Sequence, residues 1–191
     1  MTRVIAGALG GRRISVPPSG TRPTSERVRE ALFSSLEASL GMDGLYVLDL
    51  CAGSGALGIE ALSRGAGQAL FVESDRRAAN VLWRNLTDLG LDKVGALRTA
   101  PAASVLAAPA DRTYDLVLAD PPYEVPNAEV AGWLAAAESN GWLAEDVTVV
   151  VERRHDRRRR AFEWPTPLCG LRERRYGDTV LHVGVRYGPA S

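Results

Sequence analysis

The stretch Val47-Leu48-Asp49-Leu50-Cys51-Ala52-Gly53-Ser54-Gly55-Ala56-Leu57-Gly58-Ile59-Glu60-Ala61 decides the fold. Val47, Leu48 and Leu50 form a short buried strand that carries Asp49. Gly53, Gly55 and Gly58 supply a tight turn, and Ile59 to Leu62 open a helix. Strand, glycine turn and helix start make a cradle in which the backbone approaches a ligand closely and a helix N-terminus offers unpaired N–H groups. The spacing G-x-G-x-x-G is also the dinucleotide fingerprint, so the cradle alone specifies only a nucleotide-like ligand.

Working outward, strands are expected near residues 45–50, 69–74, 94–98, 115–119 and 147–151, separated by helices near 56–64, 75–89, 101–108 and 127–138. Strands joined by helical crossovers imply a parallel sheet covered on both faces. Near the C-terminus the alternation stops. Leu171–Arg175 and Thr179–Val185 flank Tyr176-Gly177-Asp178, a turn too short for a crossover, so this pair is antiparallel. Upstream, Val4-Ile5-Ala6 and Arg13-Ile14-Ser15-Val16 flank Gly10-Gly11 and predict a β-hairpin. A helix follows over Arg27–Leu36, capped by Thr24 or Ser25 and ended by Gly41.

At 191 residues the chain has length for one domain with a sizeable core. No apolar run approaches a membrane span and the N-terminus lacks a signal-peptide pattern, so a cytoplasmic protein without membrane contact is expected. Cys51 and Cys169 are far apart with no ligand-spaced neighbours, which points to reduced thiols and no metal; His155 and His182 are equally isolated. Formal net charge is zero, and Lys93 is the only lysine. Arginine gathers at residues 3–29 and 153–175, as a phosphate-binding surface would require; a salt-bridged solvated surface is the alternative.

Asp49 stands near the carboxyl end of its strand, where open α/β sheets bind ligands. It could accept from a cofactor amine or fix the glycine loop. Glu73 ends the second strand, about twenty residues beyond the glycines, where an acidic residue accepts from ribose hydroxyls. Asp75 caps the next helix. Asp120-Pro121-Pro122-Tyr123 directly follows the strand Tyr114–Ala119. Two prolines cannot continue a parallel strand, but they stiffen a loop at its end. The Asp120 carboxylate and the Pro121 carbonyl are both acceptors, suited to the two hydrogens of a planar exocyclic amine. Tyr123 offers a face on which a base can stack.

Asp120-Pro121-Pro122-Tyr123 with Asp49-x-x-x-Gly53-x-Gly55 resembles the class I S-adenosylmethionine-dependent amino-methyltransferases of nucleic-acid bases. Arg3-Val4-Ile5-Ala6-Gly7, Gly11-Arg12, Arg22-Pro23-Thr24-Ser25-x-Arg27-Val28-Arg29-Glu30-Ala31-Leu32-Phe33 and Tyr176-Gly177-Asp178-Thr179 closely resemble the bacterial 16S rRNA guanine-N2 methyltransferases of the RsmD family, across essentially the whole chain.

The resemblance implies an α/β, Rossmann-like class I methyltransferase: a seven-stranded, mostly parallel sheet with an antiparallel C-terminal strand, plus the N-terminal hairpin. Residues 1–20 are then an extension and 21–191 the methyltransferase domain. The implied cofactor is S-adenosylmethionine, with Glu73 on its ribose and the loop Cys51, Ala52, Gly53, Ser54, Gly55 and Gly58 around its methionine part. Asp49 and Ser74 join that set, Thr99-Ala100 lie near the adenine with only backbone to offer at Ala100, and Arg22 and Thr24 close over the cofactor. Asp120, Pro121, Pro122 and Tyr123 are the implied catalytic residues. Arg3, Arg12, Arg13, Arg27, Arg153 and Arg154 would hold 16S rRNA, within a small-subunit particle, and the expected state is a monomer. The competing readings are an adenine-N6 enzyme, an NAD-dependent oxidoreductase using the same fingerprint, and a non-catalytic RNA-binding assembly factor that retains the fold.

Overall fold

The computed structural model describes residues 1–18, 24–156 and 161–186. Two short strands, β1 (Thr2–Arg3) and β2 (Arg13–Ile14), pair antiparallel. Helix α1 (Glu26–Leu40) follows, and its cap is Ser25, whose side chain accepts from Val28 N. Thr24, the other candidate cap, turns inward instead and is buried.

Then come β3 (Tyr46–Leu50), α2 (Ala56–Ser63), β4 (Gln68–Glu73), α3 (Arg76–Asp88), β5 (Gly95–Thr99), α4 (Ala102–Leu106), β6 (Tyr114–Ala119), α5 (Asn127–Ser139) and β7 (Leu143–Arg154). Asp75 caps α3, accepting from Arg77 N and Ala78 N. Strands β8 (Leu168–Tyr176) and β9 (Thr179–Arg186) complete the chain.

The seven-stranded sheet has the order β5-β4-β3-β6-β7-β9-β8. Five adjacent strands, β5 to β7 in that order, pair parallel; β9 lies antiparallel between β7 and β8, so it alone of the seven runs the other way. The expected mixed sheet is therefore present. Alternation along each strand feeds two cores. Val47, Ala69, Phe71 and Leu116 face α1, α2 and α3, whereas Leu48, Leu70, Val72 and Val117 face α4 and α5. Because strand order reverses between β3 and β6, a crevice opens at their carboxyl ends.

The N-terminal hairpin differs from expectation in its pairing. Ile5 and Ala6 leave the ladder because their N–H groups donate to the Glu60 carboxylate of α2, at 2.8 and 3.1 Å. Ala8 N donates to Ser63 O, and Gly7 packs so tightly there that a Cβ would sit 1.9 Å from that carbonyl. Val4 and Ile14 are fully buried in the same core as α1 and α2. The hairpin thus shares the main core.

Among the described residues no helix is long and apolar enough to cross a membrane.

Candidate active site

Four of the parallel strands deliver a carboxylate at or next to their carboxyl ends: Asp49 on β3, Glu73 on β4, Asp120 after β6 and Glu152 on β7. Three of these four border one cavity of about 270 Å³, together with Val16, Pro17 and Thr24 from the N-terminal segment and Cys51–Ser54 from the glycine loop. Ser74, Asp75 and Pro122 complete the polar and loop lining.

The glycine turn is held from inside by acid. Asp49, fully buried, accepts from Gly58 N through Oδ2 at 2.9 Å, while its Oδ1 has no hydrogen-bond partner among the described residues. Burial, reinforced by the Glu73 charge and opposed by the Gly58 bond, pushes the Asp49 carboxyl up to about 7. Glu73 accepts from Gly53 N at 2.7 Å and Asp75 N at 2.8 Å, so it fixes both the loop and the start of α3.

The three glycines do different work. Gly55 caps α2 in the left-handed region at φ 82°. Gly58 does not border the cavity: a Cβ there would lie 2.3 Å from the Phe71 ring, so its lack of a side chain lets α2 press onto β4. Cys51 has φ 57°, a left-handed conformation rare for a side-chain-bearing residue, and it starts the loop. Burial raises its thiol to about 12, which keeps it protonated and inert as a nucleophile.

Beyond β6, Asp120 N still donates to Leu50 O at 3.3 Å. The loop that follows is clamped by Arg153, a residue expected on an RNA surface. It is only 3% exposed, because its guanidinium is taken up by the loop: Nη1 reaches Pro121 O and Pro122 O at 3.4 and 3.3 Å, Nε donates to Asn127 Oδ1 at 2.8 Å, and Nη2 donates to Val125 O. Rigidity of the Asp120–Tyr123 loop therefore comes from a buried arginine as well as from the prolines. Arg154, the next residue, points to solvent and lies 5.9 Å over the Tyr123 ring, a cation–π distance at the loop's outer side.

Thr24 joins the N-terminal segment to the loop. Its Oγ1 donates to Glu152 Oε2 at 2.6 Å and lies 3.4 Å from Asp120 Oδ2. Burial, then the Glu152 and Asp49 charges, hold the Asp120 carboxyl well above the usual carboxylate range, against the Thr24 bond and the Arg153 charge. Glu152, only 3% exposed, is raised by burial too.

Other expected site residues are placed less centrally. Thr99 and Ala100 do not border the cavity, and Ala100 packs against the second core. Arg22 lies outside the described residues. Arg3, Arg12, Arg13 and Arg27 lie near the N-terminal hairpin, away from the cavity; Arg3 pairs with Glu26 at 3.1 Å and Arg12 donates to Asp88 O.

Three further residues matter to the site that the sequence alone does not single out. Asn85 of α3 is buried and bonds Ser15 N, Ser15 O and Ser54 O, which staples the N-terminal segment to the glycine loop. Glu60 holds the hairpin, and Glu152 backs Thr24. The signal for Glu60 and Glu152 is a lone carboxylate inside an apolar run, Gly58-Ile59-Glu60-Ala61-Leu62 and Val149-Val150-Val151-Glu152. Such a group is rarely buried without a partner.

This geometry bears on the ligand. The carboxylates of Asp49, Glu73, Asp75 and Asp120 line the cavity with no lysine or arginine among the lining residues described. A pyrophosphate would meet repulsion there, so the dinucleotide reading fits poorly.

Known proteins agree with the fold and the chemistry. The family model described as "Conserved hypothetical protein 95" matches residues 2–185. Ribosomal RNA small subunit methyltransferase D of Escherichia coli is 41% identical over 152 residues, 78% of this chain and 73% of that protein. YlbH of Bacillus subtilis, assigned as an rRNA methyltransferase, is 36% identical over 97% of this chain and 100% of its own. The solved structure of Escherichia coli yhhF, assigned as a methyltransferase, superposes with TM-score 0.84 at 34% identity, covering 98% of each chain. With the acid-lined cavity at the β3–β6 crevice and relatives matched along nearly its whole length, this chain belongs to the RsmD family of methyltransferases.

Proposed function

We propose that this chain transfers a methyl group from S-adenosylmethionine to the exocyclic N2 amine of a guanine in 16S rRNA. The observation that carries the proposal is the Asp120-Pro121-Pro122-Tyr123 loop, clamped by Arg153 at the rim of an acid-lined cavity. Kinship with relatives named for small-subunit ribosomal RNA supports the substrate.

The residues present fit the cofactor. Among the described residues Asp49 Oδ1 is a buried acceptor without a donor, and an ammonium group can serve as one. Val16 and Pro17 give the cavity an apolar side, and its carboxylates suit a ligand of net positive character. When bound, S-adenosylmethionine supplies an electrophilic methyl group on a sulfonium. Asp49 and the Gly53–Gly55 turn would hold the methionine part, and Glu73, using lone pairs left by Gly53 and Asp75, the ribose. Asp120 and the Pro121 carbonyl would accept from the amine. A guanine N2 lone pair is delocalised into the ring, and two acceptors on its hydrogens favour a pyramidal nitrogen with the lone pair aimed at the methyl. As positive charge builds on nitrogen, the acceptors bind more strongly than in the ground state. Tyr123 gives a stacking face to a base taken out of its helix or loop.

The reading is tested by tritium transfer from labelled S-adenosylmethionine to 16S rRNA and to small-subunit particles, with the modified base mapped. N2-methylguanine is expected; N6-methyladenine would overturn the assigned acceptor.

A pH dependence follows from Asp49. Its carboxyl, raised by burial to about 7, is neutral below that value and an anion above it. An ammonium prefers the anion, so cofactor affinity should rise roughly five- to tenfold between about pH 6 and about pH 7.5. Linkage runs the other way for the empty protein. Asp49 binds a proton in the folded state that it would lose near 3.8 when unfolded, so its contribution to stability falls as pH rises from about 4 to about 7. Titration calorimetry of wild type and Asp49→Asn, with urea unfolding of both across the same pH range, checks the two effects. The variant should show a flat affinity, and a flat wild-type profile would remove Asp49 from the ammonium.

For RNA, the exposed pair Arg12 and Arg13 is expected to contribute phosphate contacts. Arg12→Ala with Arg13→Ala should weaken RNA binding and lessen its salt slope by about 2. Unchanged binding at low and moderate salt, measured by filter retention, would take the hairpin off the RNA surface.

A further inference from the structure

We infer that Glu152 is a positioning residue for the transfer step, drawing the proton away from Asp120 through the Thr24 hydroxyl. The inference rests on the reaction proposed above. It begins from a hydrogen count. Thr24 has one hydroxyl hydrogen, and its Oγ1 lies 2.6 Å from Glu152 Oε2 but 3.4 Å from Asp120 Oδ2. The hydrogen is therefore on the Glu152 side, and the Thr24 lone pairs are turned to Asp120. A chain Asp120–H···Oγ–H···Glu152 connects the two acids, so a proton can pass from Asp120 to Glu152.

The register explains why these two acids meet. Ala119 pairs with Val151 across β6 and β7, so Asp120 and Glu152 are the next residues along two adjacent parallel strands. Glu152 does not border the cavity and is 3% exposed, so it does not touch a base. A second buried carboxylate beside Asp120 raises the energy of both anions. No packing requirement explains an acid there, since the residues before it, Val149, Val150 and Val151, are apolar. The charged groups around the pair are Asp49 on β3 and Arg153 on β7, with His182 on β9 near Arg153.

The steps balance. Once the C–N bond has formed, the amine nitrogen carries an extra positive charge. One N–H bond breaks, its electron pair stays on nitrogen, and the proton goes to Asp120. The Asp120 O–H then breaks toward Thr24 Oγ1 as the Thr24 O–H breaks toward Glu152 Oε2. The positive charge on nitrogen and the negative charge on Glu152 disappear together, and Asp120 is again an anion. After the product leaves, the proton returns through Thr24 Oγ1 to Asp120, which borders the cavity, and from there to water.

The test is kcat and KM across about pH 6 to 9, on 16S rRNA or the small-subunit particle, for E152Q, T24V, T24S, D120A and the double variant E152Q with T24V. Glu152→Gln should lower kcat roughly 10²-fold, with KM for S-adenosylmethionine and RNA within about threefold. Its acidic limb should move to lower pH, because one negative charge beside Asp120 is gone. Thr24→Val should match it, the double variant should be no slower than either single, and Thr24→Ser should run near wild type. Wild-type kcat in E152Q, an unmoved acidic limb, or multiplying losses in the double variant would each overturn the relay. If E152Q does not fold, the T24V and T24S contrast decides: equal rates in the two refute it. Turnover retained by D120A would instead overturn the underlying reaction, which separates the two failures.

Discussion

Asp120→Ala is expected to lower kcat by roughly 10³-fold while S-adenosylmethionine still binds. The size follows from what the side chain does. Removing one preorganised group that binds developing charge costs other enzymes roughly 10²–10³-fold, about 3–4 kcal/mol of barrier. Asp120 carries more than one such role here. It is an acceptor for the amine, it is the anion nearest the charge that builds on nitrogen, and its backbone N–H ties the loop to β3 through Leu50 O. The backbone tie survives alanine, as does the Arg153 clamp on Pro121, Pro122 and Val125, so the loop should keep its shape. Cofactor affinity is expected to change only a few-fold, because Asp49 and Glu73, both buried, still line the cavity. Asp120→Asn separates geometry from charge. It preserves an acceptor oxygen and loses the anion, so it should fall between wild type and alanine. Single-turnover transfer of a labelled methyl group, with calorimetry of the cofactor, measures both; near-normal turnover in Asp120→Ala would remove it from the chemistry.

The expected elements agree with the structure where period and punctuation are strong. The five parallel strands and the crossover helices follow from short apolar runs between glycine, proline and polar turns. The terminal hairpin follows from the turn signal at Gly177-Asp178, which is one residue shorter than expected because Tyr176 pairs with Thr179. The strand order is not in any local pattern; handed crossovers and the antiparallel insertion of β9 are properties of the assembled sheet.

The site divides in the same way. Asp49, Glu73 and Asp120 are legible because a carboxylate at a strand end beside a glycine turn is costly to keep there unless it binds something. Arg153 reads as surface because it stands next to Arg154, and only the return of the Pro121–Val125 loop over β7 encloses it. Glu152 is legible in principle, by the same rule that picks out Asp120. Asn85 is not: a lone amide in an amphipathic helix ordinarily faces solvent, and its burial depends on Ser15 and Ser54 arriving from elsewhere in the chain.

Glu60→Ala is expected to cost about 3–5 kcal/mol of folding stability, a large share of the roughly 5–15 kcal/mol that holds a domain. Glu60 is wholly buried and accepts from three donors, Ile5 N, Ala6 N and Arg64 Nε at 2.8 Å, while Arg29 Nε stands 3.8 Å away as an ion-pair partner without a hydrogen bond. Arg29 is also wholly buried, and burial draws its guanidinium downward despite the Glu60 charge. Its remaining contacts are polar atoms of the hairpin, Thr2 Oγ1 and Arg3 O. Alanine at position 60 would strand that cation in the core and release two backbone donors of the hairpin at once. An exposed ion pair would be worth about 1 kcal/mol or less, so the magnitude distinguishes the two situations. Urea unfolding measures the loss, and a cost below about 1 kcal/mol would mean that water reaches the pair. The paired replacement Arg29→Met with Glu60→Leu is the informative control. It removes both charges together and should recover most of the stability, since a buried ion pair is seldom better than apolar packing of similar volume. It would not restore the hydrogen bonds to Ile5 and Ala6. The hairpin leads directly into Val16 and Pro17 at the cavity, so the double variant should fold and still bind S-adenosylmethionine more weakly than wild type. That combination would place the function of Glu60 in seating the N-terminal segment over the site, and its cost to stability in the cation it must neutralise.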